Sequence, residues 1–185
     1  MDPFILITAI ALVLIILWLI TLFNSLITSR NRVTEAYSDI DVQLKRRYDL
    51  IPNLVETVKG YMQHEAKTLQ AVTEARTLAM RAEEAPTRAR AEDILTGALK
   101  SLFAVAESYP QLRASENFSK LQDELSDTEN KIQAARRFYN GKVRDFNTRI
   151  QTFPNNIVAQ SMTFKPFAYF EVKNEQEREN VAVKF

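Results

Sequence analysis

From Phe4 to Ile51 the chain carries neither proline nor glycine, and the first part of that stretch, FILITAIALVLIILWLITLF (4–23), is uncharged and almost wholly apolar. Twenty helical residues rise about 30 Å, the hydrocarbon thickness of a bilayer. Thr8 and Thr21 are its polar residues, and a membrane helix tolerates both. Phe4 opens the run, while Trp18 and Phe23 stand towards its far end, where aromatic rings suit a membrane interface. A cleaved signal peptide fits poorly: Met1-Asp2-Pro3 supplies no basic residue, the run is too long, and no A-x-A pattern follows it. Without cysteine, a lipid-modified anchor has no attachment point. A retained transmembrane helix is the expectation.

Every lysine and arginine lies beyond this run, beginning with Arg30 and Arg32. That bias predicts residues 1–3 outside the cell membrane, 4–23 within it and the chain from 24 on in the cytoplasm, with Arg30 and Arg32 helping to anchor. The lack of cysteine fits a reducing compartment. On a straight helix the triplet Lys45-Arg46-Arg47 begins about 33 Å beyond Phe23. The Debye length is only about 8 Å at physiological salt, so the triplet is expected to serve contacts within the protein or between subunits.

After the anchor the chain favours Ala, Leu, Glu, Lys, Gln and Arg, all good helix formers. An all-α fold is predicted, in which the membrane helix continues into an elongated antiparallel bundle or coiled coil. It has three long helices, or four if the first breaks at Pro52. Val33, Tyr37, Ile40, Leu44, Ile51, Leu54, Val58, Tyr61, Val72 and Ala79 fall on heptad steps, interrupted at Arg47 and Glu65. The phase is unchanged across Pro52, which predicts a kinked helix running to about residue 80. The alternative is a break at Tyr48-Asp49.

The stretch RAEEAPT (81–87) reads as a connection. Ala91, Leu95, Ala98, Leu102, Val105 and Tyr109 mark a second amphipathic segment that ends at Pro110. A third helix is predicted from about Ser115 to Pro154, with Phe118, Leu125, Ile132, Tyr139, Phe146 and Phe153 recurring every seven residues. These six, with Tyr37, Leu44, Ile51 and Val58, are the expected packing and assembly residues. Part of the first seam is expected to lack a partner in its own chain and so to meet another subunit. The helical domain is set at 24–161 and a tail at 162–185, aromatic at first and then charged. Val181, Val183 and Phe185 alternate there like a weak strand.

The inventory of reactive groups excludes several chemistries. One histidine, His64, cannot furnish two Glu-x-x-His pairs, and Lys67-Thr68 breaks the H-E-x-x-H spacing. There is no cysteine nucleophile, no G-x-S-x-G elbow and no glycine-rich phosphate loop. A net charge of +1 with interspersed signs argues against nucleic-acid binding. A carboxylate-only metal site at Glu124 and Glu129 has no specific signature. Arg76, Arg136 and Glu129 instead read as polar residues that set helix register, with Asn117, Asn140 and Asn147 beside them. No enzyme activity, cofactor or small-molecule substrate is expected.

Residues 31–65, NRVTEAYSDIDVQLKRRYDLIPNLVETVKGYMQHE, resemble the first hallmark segment of the LemA family. Residues 117–159, NFSKLQDELSDTENKIQAARRFYNGKVRDFNTRIQTFPNNIVA, resemble its second, and the layout of anchor, long helices and Phe164-Lys165-Pro166-Phe167 is similar too. The resemblance implies a bacterial-type, single-pass membrane protein with a mostly helical cytoplasmic domain and no catalytic residues to carry over. Links of some relatives to internal-membrane organisation imply scaffolding. The expected function is therefore a self-associating membrane scaffold or adaptor. Its partners are the lipid bilayer, further copies of itself and another membrane protein. The alternatives are a recruiting subunit for a membrane enzyme such as a protease, and a carboxylate-based metal hydrolase.

Overall fold

The structure, a computed structural model, describes residues 2–62 and 64–171. Regular secondary structure among them is entirely helical: α1 (Pro3–Lys59), α2 (Ala66–Arg81), α3 (Ala85–Ala106), α4 (Pro110–Arg113), α5 (Glu116–Gln151) and α6 (Asn155–Ser161). The strand-like alternation at 181–185 falls outside the described residues. The chain forms two compact units, and α1 and α5 each contribute to both. Of the described residues, unit 1 comprises 2–42 and 132–168; unit 2 comprises the rest of 43–131 together with 169–171.

In unit 1, α1 opens with a span long and apolar enough to cross a membrane, and none of that span is buried. Phe4 and Trp18 are among its exposed residues. Burial starts at Leu26 and continues on one face through Val33, Ala36 and Ile40. The last turns of α5 supply the opposing face with Ile132, Tyr139, Val143, Phe146 and Ile150. Tyr37 meets Tyr139 edge to face, with ring centroids 5.4 Å apart. Arg149 donates to Ser25 Oγ at 2.7 Å, so the two helices run in opposite directions.

In unit 2, α1 passes Pro52 without ending. Proline has no N–H for the carbonyl four residues earlier, which here belongs to Tyr48. Arg76 Nε on α2 donates to that carbonyl at 2.9 Å. An external donor thus fills the gap in the ladder, and the helix continues. The two residues are coupled by this bond. Arg76→Ala is expected to cost about 1.5–3 kcal/mol in the parent. After Pro52→Ala restores the helical N–H, the same change should cost clearly less. A double-mutant cycle by chemical denaturation measures the difference.

The prediction of one helix to about residue 80 is corrected. α1 stops at Lys59, and the chain turns back before α2 begins at Ala66, which brings Arg76 beside Tyr48. Gly60 is a poor helix former, and the amides of Tyr61 and Met62 both close back on Val58 O, at 2.9 and 3.0 Å. Met62 is fully buried in this turn. The reversal lets α2 bring Val72, Ala75 and Ala79 to the core beside Leu44, Ile51, Leu54 and Val58 of α1. Leu95, Leu99, Leu102 and Ala106 of α3 and Phe118 and Leu125 of α5 complete it. The α1 seam expected to need another subunit is therefore largely covered by its own chain.

Candidate functional site

A charged cluster lies within the core of unit 2. Arg47 occupies a seam position on α1 and is only 2% exposed. Its guanidinium donates to Glu129 Oε2 of α5 at 2.8 Å and to Thr96 Oγ1 of α3 at 2.8 Å. Glu92 of α3, 1% exposed, lies 3.5 Å from the same guanidinium. The neighbouring Tyr48 hydroxyl hydrogen-bonds Glu92 Oε1. One arginine thus ties three helices together, since Glu129, Thr96 and Glu92 come from two elements remote in sequence.

Burial pushes the Glu92 carboxyl above its ordinary value of 4.5, and nearby Glu129 adds to the push. The Tyr48 hydrogen bond and the positive charges of Arg47 and Arg88 pull the other way but do not cancel it. Burial, followed by its bond to Glu92 and that carboxyl's charge, also pushes the Tyr48 phenol up. Charges held this way are suited to fixing helix register, because every alternative register separates them from their partners. Beside the cluster, Arg47 and Glu129 help to line an open cleft of about 240 Å³. Lys100, Phe103, Gln122 and Asn130 line it as well.

Unit 1 carries a second constellation. Phe164 packs edge to face on Phe23, at 6.4 Å between centroids, and on Phe146, at 6.2 Å. Phe167 contacts Phe146 at 5.3 Å. The Asn147 amide holds the backbone of Phe167 from both sides, donating to its carbonyl and accepting from its N–H, each at 2.9 Å. Tyr139 donates to Ala168 O at 2.9 Å, and burial pushes its phenol up to about 12. The aromatic segment that follows α6 is therefore seated on α1 and α5 of its own unit.

The LemA family model matches residues 36–185. The chain belongs to the LemA family. It is 32% identical to Protein LemA of Metamycoplasma hominis, over 85% of this chain and 72% of that protein. It is also 23% identical to Magnetosome protein MamQ 2 of Paramagnetospirillum magneticum, over 90% of this chain and 71% of that protein. Magnetosome protein MamQ of Magnetospirillum gryphiswaldense is similar at 22% identity, with the same coverage.

In this LemA-family protein, Tyr37 is half-buried, and Leu44, Ile51, Val58, Phe118, Leu125, Ile132, Tyr139 and Phe146 are buried. Phe153 departs from the expected seam: it is 78% exposed, because α5 ends at Gln151 and the heptad face ends with it. Arg30 and Arg32 are exposed just past the apolar span. Arg76 bonds Tyr48 O, Glu129 bonds Arg47, and Arg136 lies half-buried on α5. Glu124 is exposed, while Glu129 is paired with Arg47. No group of three or more potential metal-ligating residues occurs among the described residues.

Sequence reasoning missed Tyr48, Glu92 and Thr96. The signal for Glu92 was present, since it falls in the same three-and-four register as Leu95, Leu99, Leu102 and Ala106. A pH profile tests its placement. A carboxyl raised in the folded state binds its proton more tightly there than in the unfolded chain. Its stabilising contribution is whole below about pH 4.5 and is lost as pH rises through the folded value. Glu92→Gln cannot ionise, so relative to this variant the parent should lose stability as pH rises from 4.5 towards neutrality. Urea midpoints across that range measure the effect.

Proposed function

We propose that this LemA-family protein is a membrane-anchored, self-associating helical scaffold or adaptor at the cytoplasmic face of a bacterial-type cell membrane. The observation that carries this reading is the continuity of α1. A bare apolar span of bilayer length passes without a break into a helix whose later turns are fastened by the Arg47 cluster. Such a helix transmits the rotational setting of its anchor to the domain above it. Anchors that pair in the bilayer would hold their domains in one common orientation. Similarity to proteins named for the magnetosome supports a membrane-associated helical protein, and the role proposed for it is non-catalytic.

The position of Arg30 and Arg32 after the span favours the domain inside and the residues before the span outside. The size of the detergent-extracted full chain tests self-association. An oligomer at micromolar concentration is the expected result, and a strict monomer overturns it. The cleft beside Arg47 and Glu129 favours a second reading, in which the domain recruits another membrane protein, such as a protease. Crosslinking in cells separates the two by whether the principal product joins two copies or joins this chain to a different protein.

A further inference from the structure

Three large apolar side chains of unit 1 stay bare at the end of the domain where the anchor emerges. Phe153 is 78% exposed, Ile157 60% and Met162 59%. They belong to the corner formed by the end of α5, α6 and the turn that follows. The Arg149–Ser25 bond fixes the height of this corner, because Ser25 lies two residues beyond the apolar run. The helices are antiparallel, so the two residues of α5 past Arg149 descend about 3 Å towards the span. Phe164, carried by the same corner, packs on Phe23, so the corner lies level with the end of the run.

The corner is also held rigidly in this position. Val158 and Ala159 of α6 are buried, which leaves Ile157 facing out. Thr163 takes the left-handed backbone conformation, with φ of 56°, a strained state for a β-branched residue. Its N–H closes on Gln160 O at 3.2 Å, and that of Phe164 closes on Ala159 O at 2.9 Å. This turn sends Phe164 inward to Phe23 and leaves Met162 outside. Between the corner and α1 lies a cleft of about 510 Å³, with Phe23, Ile27 and Phe146 as apolar walls and exposed Arg30 and Lys165 among its lining residues.

We propose that this corner is a second membrane contact. Phe153, Ile157 and Met162 enter the boundary between headgroups and acyl chains beside the emerging anchor. The cleft takes an anionic phospholipid, with its chain against Phe23 and Ile27 and its phosphate between Arg30 and Lys165. The occupant follows from continuity with the span: an apolar surface level with the end of a bilayer-crossing helix meets the same bilayer. Two cations at that height match an anionic headgroup. The inference rests on the anchor reading above.

The chain has no native cysteine, so single cysteines can report on it without background. The full chain, reconstituted in phosphatidylcholine nanodiscs with or without phosphatidylglycerol, would carry a polarity-sensitive label at Phe153→Cys, Ile157→Cys or Met162→Cys. Ile16→Cys reports the anchor. Ser38→Cys, exposed on α1 about 20 Å beyond Ser25, reports water. Lipids spin-labelled near the headgroup should quench the three corner labels several-fold more than the Ser38 label, and lipids labelled deep in the chain should quench Ile16. An unquenched Ile16 label overturns the anchor reading. A quenched Ile16 label with corner labels that behave like Ser38 overturns this proposal alone. Quenching at Met162→Cys should be greater with phosphatidylglycerol, and Arg30→Gln with Lys165→Gln should abolish the difference. Equal quenching in both lipids overturns the anionic-lipid assignment.

Discussion

Replacing Arg47 by alanine is expected to lower the unfolding free energy by about 3–5 kcal/mol, the loss typical when one partner of a buried ion pair is removed. The guanidinium has Glu129 and Thr96 as hydrogen-bond partners and Glu92 as an ion-pair partner. Without it, Glu92 stays in the core facing the charge of Glu129, with Arg88 as the cation still acting on it. Urea unfolding of the detergent-solubilised chain, followed by helical circular dichroism, measures the loss. Arg47→Met combined with Glu92→Gln should recover much of it, because neither buried position then holds a charge and glutamine still accepts from Tyr48. A loss below about 1 kcal/mol for Arg47→Ala would mean that the cluster behaves like a solvent-screened surface pair, and the register-setting reading would fall.

Phe146→Ala is expected to cost a similar amount, about 3–5 kcal/mol, through the cavity left by a fully buried ring. Its effect has a distinct signature. Phe164 and Phe167 both rest on Phe146, so the seat of the aromatic segment goes with the ring. Amide exchange at Phe164 and Phe167 should accelerate far more than exchange at Tyr48, which lies in the other unit. Uniform acceleration in both units would show instead that the ring supports global stability and gives no particular hold on residues 162–168.

Much of this arrangement was legible in the sequence, because burial on a helix is written with a period of 3.6 residues. Leu44, Ile51 and Val58 announced the face of α1, and the constant phase across Pro52 announced that the helix does not break there. The same phase misled beyond Gly60. A helix that folds back on its predecessor must also show an apolar face, so Val72 and Ala79 continue the pattern with no physical continuity behind it. Phe153 shows the reverse case: the seven-residue spacing holds, but the helix that would bury the ring has ended. The charged cluster was hidden for another reason. Glu92 looks like a solvated helical glutamate until Arg47 is brought beside it, and that meeting depends on the chain turning back between α1 and α2.

That cluster has a consequence for the order in which the chain assembles. The Arg149–Ser25 contact joins residues 124 positions apart, while Arg47–Glu129 fastens residues close to the two ends of the 43–131 segment. Once Arg47–Glu129 has formed, the loop that Arg149–Ser25 must close shrinks to roughly a third, which lowers its entropic cost by about 1 kcal/mol. In that order, the pairing of α1 with α5 in unit 1, from Tyr37–Tyr139 towards Ser25, has the shorter loop to close.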